Sequence, residues 1–121
     1  MLLSDRVAII TGGAKGMGRG MALRFAEEGC SVAIADISMK EANDTLAEVS
    51  KRGREGLAIQ CDVTDIKQVR DTVDKVISKF GKIDILVNNA GGLPPAPPIE
   101  DLSEEDWDKV FALNLKSDFF F

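Results

Sequence analysis

The run Thr11-Gly12-Gly13-Ala14-Lys15-Gly16-Met17-Gly18 follows directly on the apolar stretch Val7-Ala8-Ile9-Ile10, and no other part of the sequence constrains the fold as strongly. It reads as a strand, a glycine turn and a helix start. Glycines at 12, 16 and 18 take up backbone angles that other residues resist, and they leave no side chain between the main chain and an anion. The free N–H groups of the following helix would then face a phosphate. A glycine run alone is weak evidence, because tight strand-to-helix turns with no ligand also use one.

The rest of the chain supplies the context. Four runs, Val7 to Thr11, Ser31 to Ala35, Leu57 to Cys61 and Ile83 to Val87, are short, nearly continuous and rich in Val and Ile, as in strands buried on both faces. Helical segments lie between them. The first runs from about Met17 to Glu28, with Met21, Ala22 and Phe25 on one face and Gly29 as its stop. The second opens at Ser38, with Glu41 completing a capping box, and continues through Leu46 and Val49 to the Gly53 region. The third, from Thr64 to about Phe80, carries Ile66, Val69, Val73, Val76 and Ile77 at three- and four-residue steps. After the Pro-rich surface loop Gly91 to Pro98, a last helix starts at Ser103 and carries Trp107, Val110, Phe111 and Leu115.

Alternation of strands and helices predicts a doubly covered parallel sheet with right-handed crossovers. The fold class is a three-layer α/β/α sandwich with about four strands. Residues 1–121 form one domain, consistent with 45% hydrophobic and 29% charged residues in 121.

Composition excludes several classes of function. The formal net charge is -5 and no segment clusters Lys and Arg, which argues against nucleic acid or an anionic membrane as partners. No apolar run approaches the roughly 18 residues of a membrane span, and the first residues lack the pattern of a signal peptide, so a cytoplasmic location is the default. Cys30 and Cys61 lack metal-ligand spacing and read as buried reduced thiols; no metal site is expected.

Asp36, which ends the second apolar run, lies close to the spacing of about 20 residues at which a carboxylate meets the adenosine ribose of a dinucleotide. With the glycine turn, Asp36, Asn88-Asn89-Ala90-Gly91 and Asn114 in this order, the sequence resembles the N-terminal, cofactor-binding half of a short-chain dehydrogenase/reductase. The resemblance covers nearly the whole chain and implies a Rossmann-type fold, with strands in the order 3-2-1-4 and the fourth strand at an uncovered edge. It implies cofactor contacts at Gly12, Lys15, Gly16, Met17, Gly18, Asp36, Ile37, Asp62, Val63, Asn89, Ala90 and Gly91. The glycine turn would hold the pyrophosphate, and Asp62 and Val63 would border the adenine, although Asp62 could instead cap the third helix. Asn88 resembles the residue that ties the central sheet together. Ala90 and Gly91 let the nicotinamide-side ribose approach the backbone. Asn114 resembles the helix asparagine that orders a water in a proton relay and is the one residue assigned to catalysis; the alternative is a local bond to a neighbouring carbonyl.

A carboxylate at position 36 repels a ribose phosphate and favours NAD; Lys15, basic and just before the second motif glycine, keeps NADP as the minority reading. The family's chemistry is hydride transfer between nicotinamide and a secondary alcohol or ketone. Its Tyr, Lys and Ser would follow the fourth helix, and this chain holds neither Tyr nor His. The expectation is therefore a cofactor-binding half, truncated before the remaining strands and inactive alone. The alternative is a non-catalytic nucleotide-binding or self-associating module. A flavodoxin-like or receiver domain shares the alternation but not the motifs. A homo-oligomer is expected, through the fourth strand's edge or the last helix with Trp107, Phe111 and the terminal phenylalanines.

Overall fold

The computed structural model describes residues 1–93 and 95–121; Pro94, in the proline-rich loop, lies outside the described residues. Four parallel strands, β1 (Val7–Thr11), β2 (Ser31–Asp36), β3 (Gly56–Gln60) and β4 (Ile85–Val87), form one sheet in the order β3-β2-β1-β4. Val7 of β1 aligns with Ser31 of β2, and Ile9 with Leu86 of β4.

The apolar runs of β1 and β2 are continuous because these central strands are covered on both faces, whereas β3 and β4 are only partly buried. Ala8, Ile10, Val32 and Ile34 pack on one face with Ala22, Ala26, Ala42 and Val49, from α1 (Gly16–Glu27) and α2 (Met39–Lys51). Val7, Ile9, Ala33 and Ala35 pack on the other with Val69 and Val76 of α3 (Ile66–Phe80). Ile9, Ile10 and Ile34 are at most 1% exposed, and burying such a side chain is worth about 1.5–3 kcal/mol relative to leaving it in water. The small residues on α1 let that helix approach the sheet closely.

Several boundaries differ from the sequence expectation, each for a local reason. α3 begins at Ile66 rather than Thr64 because Asp65, not Asp62, is its cap, accepting from Lys67 N at 2.9 Å. Ile66 and Ile77 are 41% and 44% exposed, so the buried stripe of α3 is narrower than its periodicity suggests and is completed by Thr72. Ser38 caps α2 through Glu41 N, but the reciprocal half of the capping box is taken by Asp36, whose Oδ1 accepts from Ser38 N at 3.0 Å. β4 is shorter than the run Ile83 to Val87 because Asp84 turns its carboxylate onto β1: Oδ2 accepts from Val7 N at 2.8 Å.

The last helix is interrupted. After a 3₁₀ turn at Ile99–Asp101, α4 (Glu104–Phe111), capped by Ser103 Oγ on Asp106 N, gives way to a wide π turn over Ala112–Lys116 and then α5 (Ser117–Phe120). The wide turn lets Leu113, Phe120 and Phe121 pack on the second face of the sheet. Two of the three terminal phenylalanines thus serve the chain's own core, while Phe119 is 86% exposed.

The bond from Val7 N, with Lys82 and then Arg6 beside it, holds the Asp84 carboxyl below the usual carboxylate range. A depressed native value means stability that is present above the unfolded-state value and is lost as pH falls through the native one. Asp84→Asn should therefore flatten the acid limb of stability below about pH 4 while leaving the neutral limb's slope unchanged, as read from urea midpoints across pH.

Candidate functional site

The C-terminal ends of β1, β2 and β4 open into one cavity of about 510 Å³. Its walls come from five chain segments. Gly12, Lys15 and Met17 belong to the turn after β1; Ala35, Asp36, Ile37, Ser38 and Glu41 to the end of β2 and the start of α2; Cys61 and Val63 follow β3; Asn89, Ala90 and Gly91 follow β4, and Leu113 comes from the π turn. Open parallel sheets place ligands at such a position, beyond the strand ends where the strand order reverses.

The glycines of the turn do three different jobs. Gly12 has φ +64°, and a Cβ there would lie 2.9 Å from Asn89 Nδ2 and 3.0 Å from Ala90 Cα. Gly16 has φ +58°, and a Cβ there would meet nothing within 4 Å, so it opens space rather than relieving a contact. Gly18 corrects the expectation that all three are needed for their backbone angles. It is buried in α1 and is not among the glycines with positive φ. A Cβ on it would overlap the Gly12 carbonyl and lie 2.6 Å from Asn89 Nδ2, so it is small for helix-against-turn packing.

α1 starts without a side-chain cap at Lys15 and without an acidic residue in its first turn. Its first N–H groups and the positive end of its dipole are therefore uncompensated by the helix's own residues, as an anion site requires. Asp36 stands on the adjoining wall. Its Oδ2 accepts from Ala14 N at 3.1 Å and its Oδ1 from Ser38 N, so the carboxylate joins the two turns that flank the cavity. Each carboxylate oxygen retains a further acceptor site.

The fourth wall is held by a clasp between β4 and β1. Thr11, 2% exposed, accepts at Oγ1 from Asn89 N at 3.0 Å and Ala90 N at 2.9 Å, and donates to Val87 O at 3.4 Å. Asn89 Nδ2 donates to Thr11 O at 3.0 Å and Gly12 O at 3.1 Å. The tie expected of Asn88 is therefore made by Asn89. Side chains alternate along an extended chain, so only one of two adjacent asparagines can face the β1 turn, and Asn88 is exposed.

Gly16, Gly18, Asp62 and Asn114, all expected at the site, do not line the cavity. Asp62 faces a neighbouring polar hollow with Ile37, Gln60, Gln68 and Lys75, and its Oδ1 accepts from Thr64 N and Oγ1. The Asn114 side chain spends its hydrogen bonds on backbone. Oδ1 accepts from Gly92 N at 3.0 Å, and Nδ2 donates to Gly92 O at 2.8 Å and Val110 O at 2.9 Å. The last is the local bond a lone helical asparagine would make; the pair to Gly92 anchors the loop that leaves β4.

Lining residues not anticipated from the sequence are Ala35, Ser38, Glu41, Cys61 and Leu113. The first four neighbour residues that were singled out, whereas Leu113 arrives only through the π turn and has no signal in the motif pattern. Burial foremost, and then the Asp62 and Asp65 carboxylates, push the Cys61 thiol up against the opposing effect of Thr72. Among the described residues no group of three or more His, Cys, Asp or Glu side chains is placed to hold a metal.

The short chain dehydrogenase model matches residues 6–121. The chain belongs to the short chain dehydrogenase family. Among its relatives, the dehydrogenase subunit BbsD of Thauera aromatica is 45% identical over 119 residues, which are 98% of this chain and 48% of the relative. The 2-dehydro-3-deoxy-D-gluconate 5-dehydrogenase of Dickeya dadantii is 43% identical over 118 residues, 98% of this chain and 46% of the relative. In structure, the chain is similar to an NAD+-bound xylitol dehydrogenase, with a TM-score of 0.93 at 35% identity over 99% of this chain and 46% of that one. The chain thus spans about half the length of the relatives it matches, and its sheet order and Rossmann-type layers are theirs.

Thr11→Val removes the hydroxyl at nearly constant shape and leaves the Asn89 and Ala90 N–H groups without their acceptor. Chemical denaturation should show a loss of ~2–4 kcal/mol.

Proposed function

We propose that this chain binds NAD(H) in the cavity at the strand ends and forms the cofactor-holding part of a short chain dehydrogenase. The observation that carries the reading is one wall-to-wall pairing: the uncapped start of α1 and the carboxylate of Asp36 belong to the same cavity. The first suits a pyrophosphate and the second the hydroxyls of a ribose. The space at Gly16 and the close approach at Gly12 fit a nucleotide backbone that must lie against main chain. The likeness to an NAD+-bound xylitol dehydrogenase supports the same reading.

On this reading Gly12, Lys15, Gly16 and Met17 cradle the phosphates, Gly18 lets α1 close on the turn, and Asp36 with Ile37 takes the adenosine ribose. Asp62 and Val63 border the base, and Asn89, Ala90 and Gly91 form the floor toward the nicotinamide side. The nicotinamide, when bound, supplies hydride transfer to or from a substrate carbon. The chain's own work is to bind and orient. It contains no Tyr and no His, and its one candidate for proton handling, Asn114, has its side chain committed to Gly92 and Val110. The activity is oxidation of a secondary alcohol or reduction of a ketone, and these 121 residues by themselves are inactive, because the sequence holds neither Tyr nor His to exchange a proton with the substrate oxygen.

NADP is the second reading, because Lys15 lines the same cavity as Asp36 and offers a cation to a ribose phosphate. The carboxylate outweighs it. Both Asp36 oxygens are oriented by backbone N–H groups, which supports its ribose role, while Lys15 is exposed. A cytoplasmic location accords with two buried free thiols and with the absence, among the described residues, of any helix long and apolar enough to cross a membrane.

Self-association belongs to the same proposal. β4 is an edge strand with Leu86 38% exposed, and Trp107 and Phe111, stacked at 4.6 Å between ring centroids, are 50% and 43% exposed.

Calorimetry should detect NAD binding that Asp36→Ala weakens at least tenfold, with no turnover of secondary alcohols by either protein. Undiminished binding in the variant would remove Asp36 from the site, and turnover would refute the claim of inactivity. Sedimentation should show a dimer or larger species that Trp107→Ala shifts toward monomer; a monomer at all concentrations would contradict the association.

A further inference from the structure

Ala14, in the middle of the glycine-rich turn, is gripped at both of its backbone polar groups. Its N–H donates to Asp36 Oδ2 at 3.1 Å, and its carbonyl oxygen accepts from Thr45 Oγ1 at 2.8 Å. Thr45 sits on α2, is 0% exposed and lies outside the cavity wall. Its hydroxyl also accepts from Arg19 Nη1 of α1 at 3.0 Å. One buried hydroxyl therefore joins α2, α1 and the turn that precedes α1.

This is not the bond a helical threonine makes by default. Ser and Thr side chains inside helices commonly donate to the carbonyl four residues earlier, and Thr72 does so, to Gln68 O at 2.8 Å. Thr45 instead reaches a residue 31 positions away in sequence. The peptide that it holds joins Ala14 to Lys15, the N-cap residue immediately before α1. A peptide unit is planar and trans, so fixing the direction of the Ala14 carbonyl also fixes the opposed direction of the Lys15 N–H and the heading of the first turn of α1.

We infer that Thr45 is a positioning residue for the dinucleotide: its hydroxyl locks the Ala14–Lys15 peptide so that the amides at the start of α1 are aimed before the ligand arrives. Asp36 and Thr45 then act as a pair, one on each side of Ala14. A turn already held in its binding geometry loses less freedom on binding, which raises affinity without a direct contact. The inference rests on the NAD-binding reading, and it adds a residue that the glycine motif does not include.

The test is NAD affinity by calorimetry on the full chain, for the wild type and for Thr45→Val, Thr45→Ala and Thr45→Ser, with thermal melts alongside. Thr45→Val should weaken binding about tenfold, the equivalent of one hydrogen bond, and Thr45→Ser should restore it to within about twofold. Rescue by serine separates positioning through the hydroxyl from packing by the methyl group. Thr45→Ala carries the same comparison should the buried valine prevent folding. If the wild type binds NAD and the valine or alanine variant binds equally well, or if serine fails as valine does, the positioning role is wrong while the binding reading stands. If the folded wild type does not bind NAD, the binding reading falls and this inference with it.

Discussion

The clasp between Thr11 and Asn89 is the constraint on which the rest of the site depends. β4 contributes only Ile85–Val87 to the sheet, too few ladder bonds to fix where its exit loop runs. The Thr11 hydroxyl uses its donor on Val87 O and its acceptor capacity on Asn89 N and Ala90 N, while the Asn89 amide returns to Thr11 O and Gly12 O. These bonds set the Asn89 to Gly91 segment against the glycine turn. They also explain why Gly12 and Gly18 must be glycine, since a Cβ on either would approach the Asn89 amide. The glycine turn and the segment from Asn89 to Gly91 are thus parts of one hydrogen-bonded unit.

The electrostatics follow from what that unit leaves unpaired. α1 begins with free N–H groups and no neighbouring acid in its first turn, which favours negative charge at the turn. Asp36 places a carboxylate along the same cavity, which on the proposed reading would disfavour a phosphate on the ribose. A single cavity that attracts one anionic group and repels another is a means of selecting between two related dinucleotides. Selection of this kind needs the two turns to keep a fixed relation, and Asp36 provides it by accepting from Ala14 N and Ser38 N on either side.

Much of this was legible in the sequence, in proportion to how local its cause is. Apolar runs of four or five residues, caps at Ser38 and Ser103 and the positive-φ glycines depend on neighbours in the chain; the covered parallel sheet follows from their alternation, and its order from the motif resemblance. Contacts between distant segments were less legible. Asn88 and Asn89 are indistinguishable as letters, and only the strand's alternation against β1 decides which one ties the sheet. Asp65 rather than Asp62 caps α3 because the turn after β3 uses Asp62 for Thr64. The break at Ala112–Lys116, which brings Leu113 to the cavity and Phe120 and Phe121 to the core, arises from packing against the sheet and has no local signature. Thr45 is the same kind of case: a threonine in a helix, whose partner lies in another element.

The most direct test of the account is to map NAD binding residue by residue, by amide hydrogen exchange with and without the nucleotide. The account predicts added protection confined to the turn from Gly12 to Gly18, the segments Asp36 to Ser38 and Cys61 to Val63, and Asn89 to Gly91, with α4 unchanged. Protection that bypassed the glycine turn and Asp36, or none at saturating NAD, would contradict it.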